Sequence, residues 1–248
     1  MAAFGQAEQY QQFAVVQRQV AHRLAAALPP LAPCPVILEL GCGTGLLSRQ
    51  LLARWPDTPF VCSDIALPMV QRCRQQLGQR ETVLYTVLDG EQPAVIAAGF
   101  DLIAASMVFQ WFSRPLAALA GLHALLRPGG CLAFATLGPA TFMEWQQGCT
   151  ALGLTSGLPS YPPLAAWQQA WPNPELAQLQ VELVRRRHRS GLAFLQELRA
   201  VGAHQPVEGY RPQTPGQLRR LLRHLEQENG EVTMTYQVLY GLFYKKSF

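Results

Sequence analysis

Short apolar runs and amphipathic stretches alternate along the first half of the chain. Runs of the length of a β-strand lie at Val36–Leu40, Phe60–Cys62, Val83–Val87, Leu102–Ala105 and Cys131–Ala135. Between them, in segments 46–52, 69–73 and 116–126, apolar residues recur at the spacing of a helix. Strands that alternate with helices predict an α/β fold in which helices cover both faces of a parallel sheet.

An amphipathic helix is predicted ahead of the first strand. Apolar residues recur there every three or four positions, at Phe13, Val16, Val20, Leu24 and Leu28, and the pattern ends at Pro29-Pro30. We expect this helix to lie on the sheet or to cover its ligand.

The segment after the fifth strand has a different character. From Gly138 to about Trp171 it is irregular and rich in glycine, proline and aromatic residues, which predicts an insertion where a lid could lie. Beyond it we expect a strand over Leu179–Arg187, helices over Leu192–Val201 and Leu218–Leu225, and a long last strand in VTMTYQVLYGLFY.

Composition narrows the class of protein. With 248 residues, of which 49% are apolar and 15% charged, the chain can bury one substantial core. No apolar run approaches the roughly 18 residues of a membrane span, and the N-terminus lacks a secretory pattern, so we expect a cytoplasmic protein with no membrane partner. The net charge of +4 falls wholly in the last third. Such a small excess argues against a nucleic-acid partner.

Six cysteines occur, at positions 34, 42, 62, 73, 131 and 149. They include no C-x-x-C pair, and no histidine lies at zinc-finger spacing, so the sequence indicates neither a metal site nor a redox pair. We expect reduced and mostly buried thiols.

The first predicted strand runs into a glycine-rich turn, VILELGCGTG. Gly41, Gly43 and Gly45 have the spacing G-x-G-x-G, which differs from the G-x-G-x-x-G of dinucleotide-binding proteins. Glycines at the carboxyl edge of a parallel sheet let backbone amides approach a ligand closely. Asp64, which ends the second strand, can accept both hydroxyls of a ribose, and Asp89 in LDGE can meet an adenine amino group. Both acids could instead be helix caps.

These motifs, together with LLRPGG before the fifth strand, resemble those of class I S-adenosylmethionine (SAM)-dependent methyltransferases over residues 36–135. The resemblance implies a Rossmann-like fold whose seven-stranded, mostly parallel sheet has an antiparallel last strand, with a helical lid or insertions. It implies SAM as the cofactor and no metal. It also implies a set of cofactor-binding residues: Gln17, Glu39, Gly41, Cys42, Gly43, Gly45, Asp64, Ile65, Met69, Asp89, Gly90 and Ser106.

Flanking segments, among them AAFGQAEQYQQFAVVQRQVAHRL and DLIAASMVFQWFSRPLAAL, resemble the malonyl carrier-protein O-methyltransferases of biotin synthesis. The chain departs from that family in having Ala105-Ser106 where Ser-Asn is usual. The resemblance implies a single domain over 1–248, with a helical cap at 1–30 and a cofactor-binding core at 31–138. The remaining part, 139–248, would hold the insertion, helices that face substrate and carrier, and the last two strands.

In that family the methyl acceptor is the free carboxylate of a malonyl thioester on acyl-carrier protein. A carboxyl group with a pKa of about 4 is already an anion at neutral pH, so its methylation needs geometry and a dry pocket rather than a base. We therefore name no catalytic residue with certainty, and the five histidines show no pairing. Pocket candidates are Tyr10, Ser106, Trp111 and Arg211. Their alternative roles are core packing and, for Arg211, a solvated loop.

The basic run RRRHR could attract an acidic carrier protein through its four arginines, Arg185, Arg186, Arg187 and Arg189. Alternatively, it could be the solvated end of an exposed strand, where charges prevent aggregation. Two other functions remain open at this point. One is methylation of another small acid or a quinone-type ring, and the other is a non-catalytic SAM-binding or scaffold role.

Overall fold

The computed structural model describes residues 14–95, 97–200, 209–226 and 229–247. Strands and helices alternate through its first half. The strands are β1 (Ile37–Leu40), β2 (Phe60–Asp64), β3 (Val83–Val87), β4 (Phe100–Ser106), β5 (Leu126–Leu137), β6 (Ala177–His188) and β7 (Val232–Tyr244). The helices are α1 (Val15–Ala27), α2 (Leu46–Arg54), α3 (Leu67–Leu77), α4 (Pro115–Leu125), α5 (Met143–Ala151), α6 (Leu164–Ala170), α7 (Gly191–Ala200) and α8 (Pro215–Leu225).

The strands form one sheet in the order β3-β2-β1-β4-β5-β7-β6. Neighbours from β3 to β5 pair in parallel, whereas β7 runs antiparallel to both β5 and β6. The predicted sheet with a reversed last strand is therefore confirmed. Because β6 pairs with β7 in the antiparallel sense, its end at His188 lies at the same carboxyl edge as the ends of β1, β2 and β4.

Two apolar clusters enclose the sheet. Ile37 of β1 packs in one cluster with α1, α2, α3, α5, α7 and α8, and Leu38 and Leu40 pack in the other with α4 and α6. The whole of β1 is buried, as expected for a strand of a parallel sheet that is covered on both faces.

The first helix lies beside α2 and runs in the same direction. The Arg54 guanidinium, at the end of α2, donates to the carbonyl oxygens of Ala25, Leu28 and Pro29 at the end of α1. Both helices consequently begin at the carboxyl edge of the sheet. The half-buried Gln17 lies in the first turn of α1 and so faces that edge.

The prediction of a lid over 138–171 is wrong for the second half of that segment. Trp167 and Trp171 are only 1% exposed, and the Trp167 ring centroid lies 5.1 Å from that of Phe134 in β5. The Trp171 indole N–H also donates to the carbonyl oxygen of Tyr244. These tryptophans cover the sheet, and the sequence pattern missed them because α6 has only seven residues, too few to show a period.

Among the described ranges, no helix combines the length and the apolar composition that crossing a membrane requires.

Candidate functional site

The glycine turn between β1 and α2 adopts a left-handed backbone at all three glycines. The φ angles are +64° at Gly41, +53° at Gly43 and +85° at Gly45. A Cβ at Gly41 would lie 2.5 Å from a methyl carbon of Val108, so this backbone packs directly against the segment that follows β4. At Gly43, in contrast, no heavy atom of the described residues lies within 4 Å of the Cβ position. The open side of the turn is thus the place where a ligand can approach the backbone closely.

Gly41→Ala should lower the free energy of unfolding by about 2 kcal/mol or more, because the left-handed backbone and the overlap with Val108 both add strain. Gly43→Ala, with the same kind of φ but no close neighbour, should cost about 1 kcal/mol. Chemical denaturation measures both. Equal losses in the two variants would contradict the close contact with Val108, and recovery in the double variant Gly41→Ala/Val108→Ala would support it.

Asp64 joins the glycine turn to the end of β2. Its Oδ2 accepts the backbone N–H of Gly43 at 2.9 Å, and its Oδ1 accepts that of Ala66 at 2.9 Å, just before α3. Burial raises the pKa of this carboxyl, while the two N–H donors act in the opposite direction. The turn at Ala66 resembles the alternative role of a helix cap, but the bond to Gly43 places the carboxylate beside the glycine turn.

The loop after β3 reaches the same edge. Asp89 is exposed, and its Oδ1 accepts the N–H of Glu91 at 2.9 Å. Gly90 is buried against β1 and the loop after β4, because a Cβ there would lie 3.5 Å from that of Leu40 and 3.1 Å from the Phe112 ring. The Glu91 carboxylate also accepts backbone N–H groups of the 113–114 segment at 2.9 and 2.6 Å. The loops after β3 and β4 are therefore held together.

The end of β4 carries the strained residue of the site. Ser106 is half-buried, and Met107 after it has a φ of +59°, which is costly for a non-glycine residue. The side-chain amide of Gln110 donates to the Met107 carbonyl at 2.8 Å and accepts from the Thr136 hydroxyl at 3.2 Å. Trp111 is 47% exposed, so its alternative role as a core residue is wrong. No sequence pattern indicated Met107 and Gln110, since backbone strain leaves no pattern in side-chain types.

The other predicted residues lie in varied surroundings. Ile65 is 57% exposed next to Asp64, whereas Met69 and Cys42 are buried. Arg211 is exposed in the loop before α8, and Gln213 ties that loop to the end of α5. Tyr10 lies outside the described residues.

Glu39, also predicted to bind the cofactor, turns its carboxyl into the protein. Its side chain is buried, and the Cys62 thiol donates to Oε2 at 3.6 Å. Burial raises the pKa of Glu39 to about 8. A role in cofactor binding stays a prediction, and with this raised pKa the carboxyl is protonated at pH 7.

The side chains of the basic run lie on two different faces of β6, because successive side chains of a strand point to opposite faces. Arg186 donates to the buried Glu197 at 3.3 Å, with His188 on the same side. Burial lowers the pKa of His188 to about 4, so it is neutral and its ion pair with Glu197 is not formed at pH 7. Arg185 and Arg187 point the other way and line a cavity of about 650 Å³, together with Met143, Glu144, Gln147, Leu225, Thr233 and Thr235.

The assembled site can hold a nucleoside but offers little acid–base chemistry. The glycine turn, Asp64 and the loops after β3 and β4 converge at one edge, and Ser106, Gln110 and Trp111 carry no charge at pH 7. Such a site suits a reaction whose partners arrive already activated.

Comparisons with known proteins show the family to which the chain is similar. Residues 38–132 match a family model described as a methyltransferase domain. The chain is 44% identical over 99% of its length to the malonyl-(acyl-carrier protein) O-methyltransferase of Magnetococcus marinus, covering 91% of that protein. It is 40% identical over 96% of its length to a biotin biosynthesis bifunctional protein of Bordetella avium, of which it spans 50%. A solved Haemonchus contortus phosphoethanolamine N-methyltransferase in complex with S-adenosyl-L-methionine superposes with a TM-score of 0.59 at 13% identity, over 97% of this chain and 57% of that one.

Proposed function

The chain belongs to the malonyl-(acyl-carrier protein) O-methyltransferase family, and from this premise we propose that it transfers a methyl group from SAM to the free carboxylate of a malonyl thioester on acyl-carrier protein, an early step of biotin synthesis. The observation that carries the proposal is the relative from Magnetococcus marinus, which is 44% identical over 99% of the chain. We also propose the single-domain organisation given above, in which the 139–248 part completes the sheet of the 31–138 core.

The residues present fit SAM. The space beside Gly43 lets a ligand approach the backbone of the turn closely, and Asp64, which accepts the Gly43 N–H, has a carboxylate that can also accept the ribose hydroxyls. We assign Asp89 and Gly90, in the loop after β3, to the adenine, and Ser106, at the end of β4, to the surroundings of the methyl group. Gln17, at the start of α1, can close the same edge. When bound, SAM supplies a methyl group on a positively charged sulfur.

The protein must orient the methyl donor and the acceptor carboxylate and exclude water from the pocket. A carboxylate is an anion at neutral pH and needs no proton removed, so the absence of charge at Ser106, Gln110 and Trp111 suits this acceptor. Positive and negative charge cancel as the methyl group moves, and a poorly hydrated pocket therefore favours the transfer. Arg211, on its exposed loop, is a candidate partner of the carboxylate.

Mass spectrometry tests the proposal directly. Purified protein incubated with SAM and malonyl-acyl-carrier protein should add one methyl group to the carrier, and mild base should remove it, as expected for an ester. Acetyl-carrier protein, which lacks the free carboxylate, is the matched control. Methylation of neither carrier, with SAM binding intact, would favour another small acid as acceptor. Failure to bind SAM as well would leave only a scaffold role.

The carrier protein is proposed to approach over β6. The exposed Arg185 and Arg187 lie at the same sheet edge as the glycine turn, and with Arg189 they form a positive surface for an acidic partner. The Arg186 guanidinium instead donates to the Glu197 carboxylate, so we assign Arg186 a structural role next to this surface.

The double variant Arg185→Glu/Arg187→Glu should lower kcat/KM for malonyl-acyl-carrier protein about tenfold at low salt, because charge complementarity governs the rate of encounter. The difference should shrink as salt increases. The control is Arg74→Glu/Arg80→Glu, which reverses two charges near β3, the outermost strand on the side of the sheet away from β6. An equal loss in both double variants, or an equal loss with malonyl-coenzyme A, would argue against docking at β6.

A further inference from the structure

Three cysteines that are far apart in sequence meet beneath the glycine turn. Cys42 lies in the turn itself, Cys62 in β2 and Cys73 in α3, and all three are buried. Their sulfur atoms all lie within 4.8 Å of one another, with Cys62 and Cys73 at 3.5 Å. Since each comes from a different element, no spacing rule applied to the sequence could have found this group, which we call the thiol cluster.

Oxygen atoms border the thiol cluster. The Ser48 hydroxyl lies 3.4 Å from the Cys62 sulfur and 3.5 Å from that of Cys73. The Glu39 carboxyl lies 3.6 Å from the Cys62 sulfur. Three cysteine sulfurs occur together in closed zinc sites, where a fourth ligand completes the tetrahedron.

The spacing of the sulfurs suits one ion. Zinc binds thiolates at about 2.3 Å, which places two sulfurs of a tetrahedral site about 3.8 Å apart. The observed separations, from 3.5 Å up to 4.8 Å, approach this value with shifts of less than about one ångström. Soft thiolate ligands favour zinc-group ions over calcium or magnesium.

We propose that the sulfurs of Cys42, Cys62 and Cys73 form a binding site for a thiophilic divalent cation such as zinc. Each thiol that binds the ion releases its proton to solvent. No oxidant is involved, and the proposal is independent of the methyl acceptor.

An ion at this site would stiffen the turn that receives the nucleoside. Cys42 lies between Gly41 and Gly43, and the Cys73 sulfur is 3.2 Å from the Cβ position of Gly45. The ion would therefore connect the turn to β2 and α3 at two points.

Zinc titration of the chelator-treated, reduced protein tests the site. We expect one tightly bound zinc per chain, and a rise in Tm of about 5 °C or more once zinc exceeds its Kd about 100-fold. X-ray absorption of the zinc-loaded protein should show three sulfur neighbours at about 2.3 Å and one lighter atom. Cys73→Ser and Cys62→Ser should weaken zinc binding at least about tenfold. Cys131→Ser, which alters a buried thiol in β5 outside the cluster, should not.

Two results would overturn the proposal. One is the lack of stoichiometric zinc in the wild-type protein, or a zinc environment without sulfur. The other is unchanged affinity in both cluster variants. If those variants fail to fold, the number of sulfur neighbours in the wild-type spectrum decides the question without them.

Discussion

Replacing Asp64 by alanine should weaken SAM binding by about 10²- to 10⁴-fold. Hydrogen bonds to a charged group contribute roughly 1.5 to 3 kcal/mol each, and the carboxylate is proposed to accept two from the ribose. The substitution also removes the acceptor of the Gly43 N–H, so the glycine turn loses its connection to β2. Methyl transfer should fall in parallel. Isothermal titration calorimetry with SAM measures the affinity.

The control for this prediction is Asp57→Ala, which removes an exposed carboxylate in the turn before β2. It should leave the SAM affinity unchanged. Circular dichroism and Tm establish that both variants are folded. An Asp64→Ala protein that is folded and binds SAM within threefold of wild type would contradict the assignment of the ribose site.

The free energy of unfolding should fall as the pH rises from about 4.5 to about 8, because of Glu39. The carboxyl has an ordinary pKa of 4.5 when exposed, and burial raises it to about 8 in the folded protein. Above pH 4.5, ionisation of Glu39 stabilises the unfolded chain, whereas in the folded chain this carboxyl stays protonated up to about pH 8. The stability that depends on this group is complete below pH 4.5 and is lost by pH 8, with an upper limit of roughly 5 kcal/mol.

Glu39→Gln should remove that pH dependence, because the amide stays neutral as the buried carboxyl does at low pH. The variant should be more stable than wild type at pH 8 and about equal to it at pH 5. Glu81→Gln, at an exposed position before β3, should leave the pH profile unchanged. Urea denaturation across this pH range measures all three proteins. Parallel profiles for wild type and Glu39→Gln would show that Glu39 ionises normally in the folded state.

Most of the sheet could be predicted from periodicity. The five runs of the first half became β1 to β5, and the late strand and helices lie where their patterns placed them. Such patterns are informative because a buried parallel strand is apolar throughout and an amphipathic helix repeats every 3.6 residues. The position of the 138–171 segment could not be predicted in this way, since it depends on Trp167 in the short α6 and on Trp171 just after it, and neither lies in a repeating pattern.

The candidate site was predicted in type but not in detail. Short motifs indicated the glycine turn, Asp64 and Asp89-Gly90. Each motif is recognisable because the residues that shape the backbone there are adjacent in sequence. The strained backbone of Met107 and the hydrogen bond from Thr136 to Gln110, two residues 26 apart in sequence, depend on how β4 meets β5. Exposure of Trp111 likewise depends on what packs above it, which the sequence of its own segment does not contain.

The order of the elements and the parallel part of the sheet can be predicted from local residue patterns, since they depend on residues that are neighbours along the chain, and the resemblance of short motifs to a known family indicates the ligand. Tertiary contacts alone bring Asp64 to the Gly43 N–H, divide the basic run between Glu197 and the cavity, and place three cysteine sulfurs within 4.8 Å of one another. The physical reason is that strand order and pairing register bring together side chains from separate elements, and local periodicity carries no information about which elements will meet.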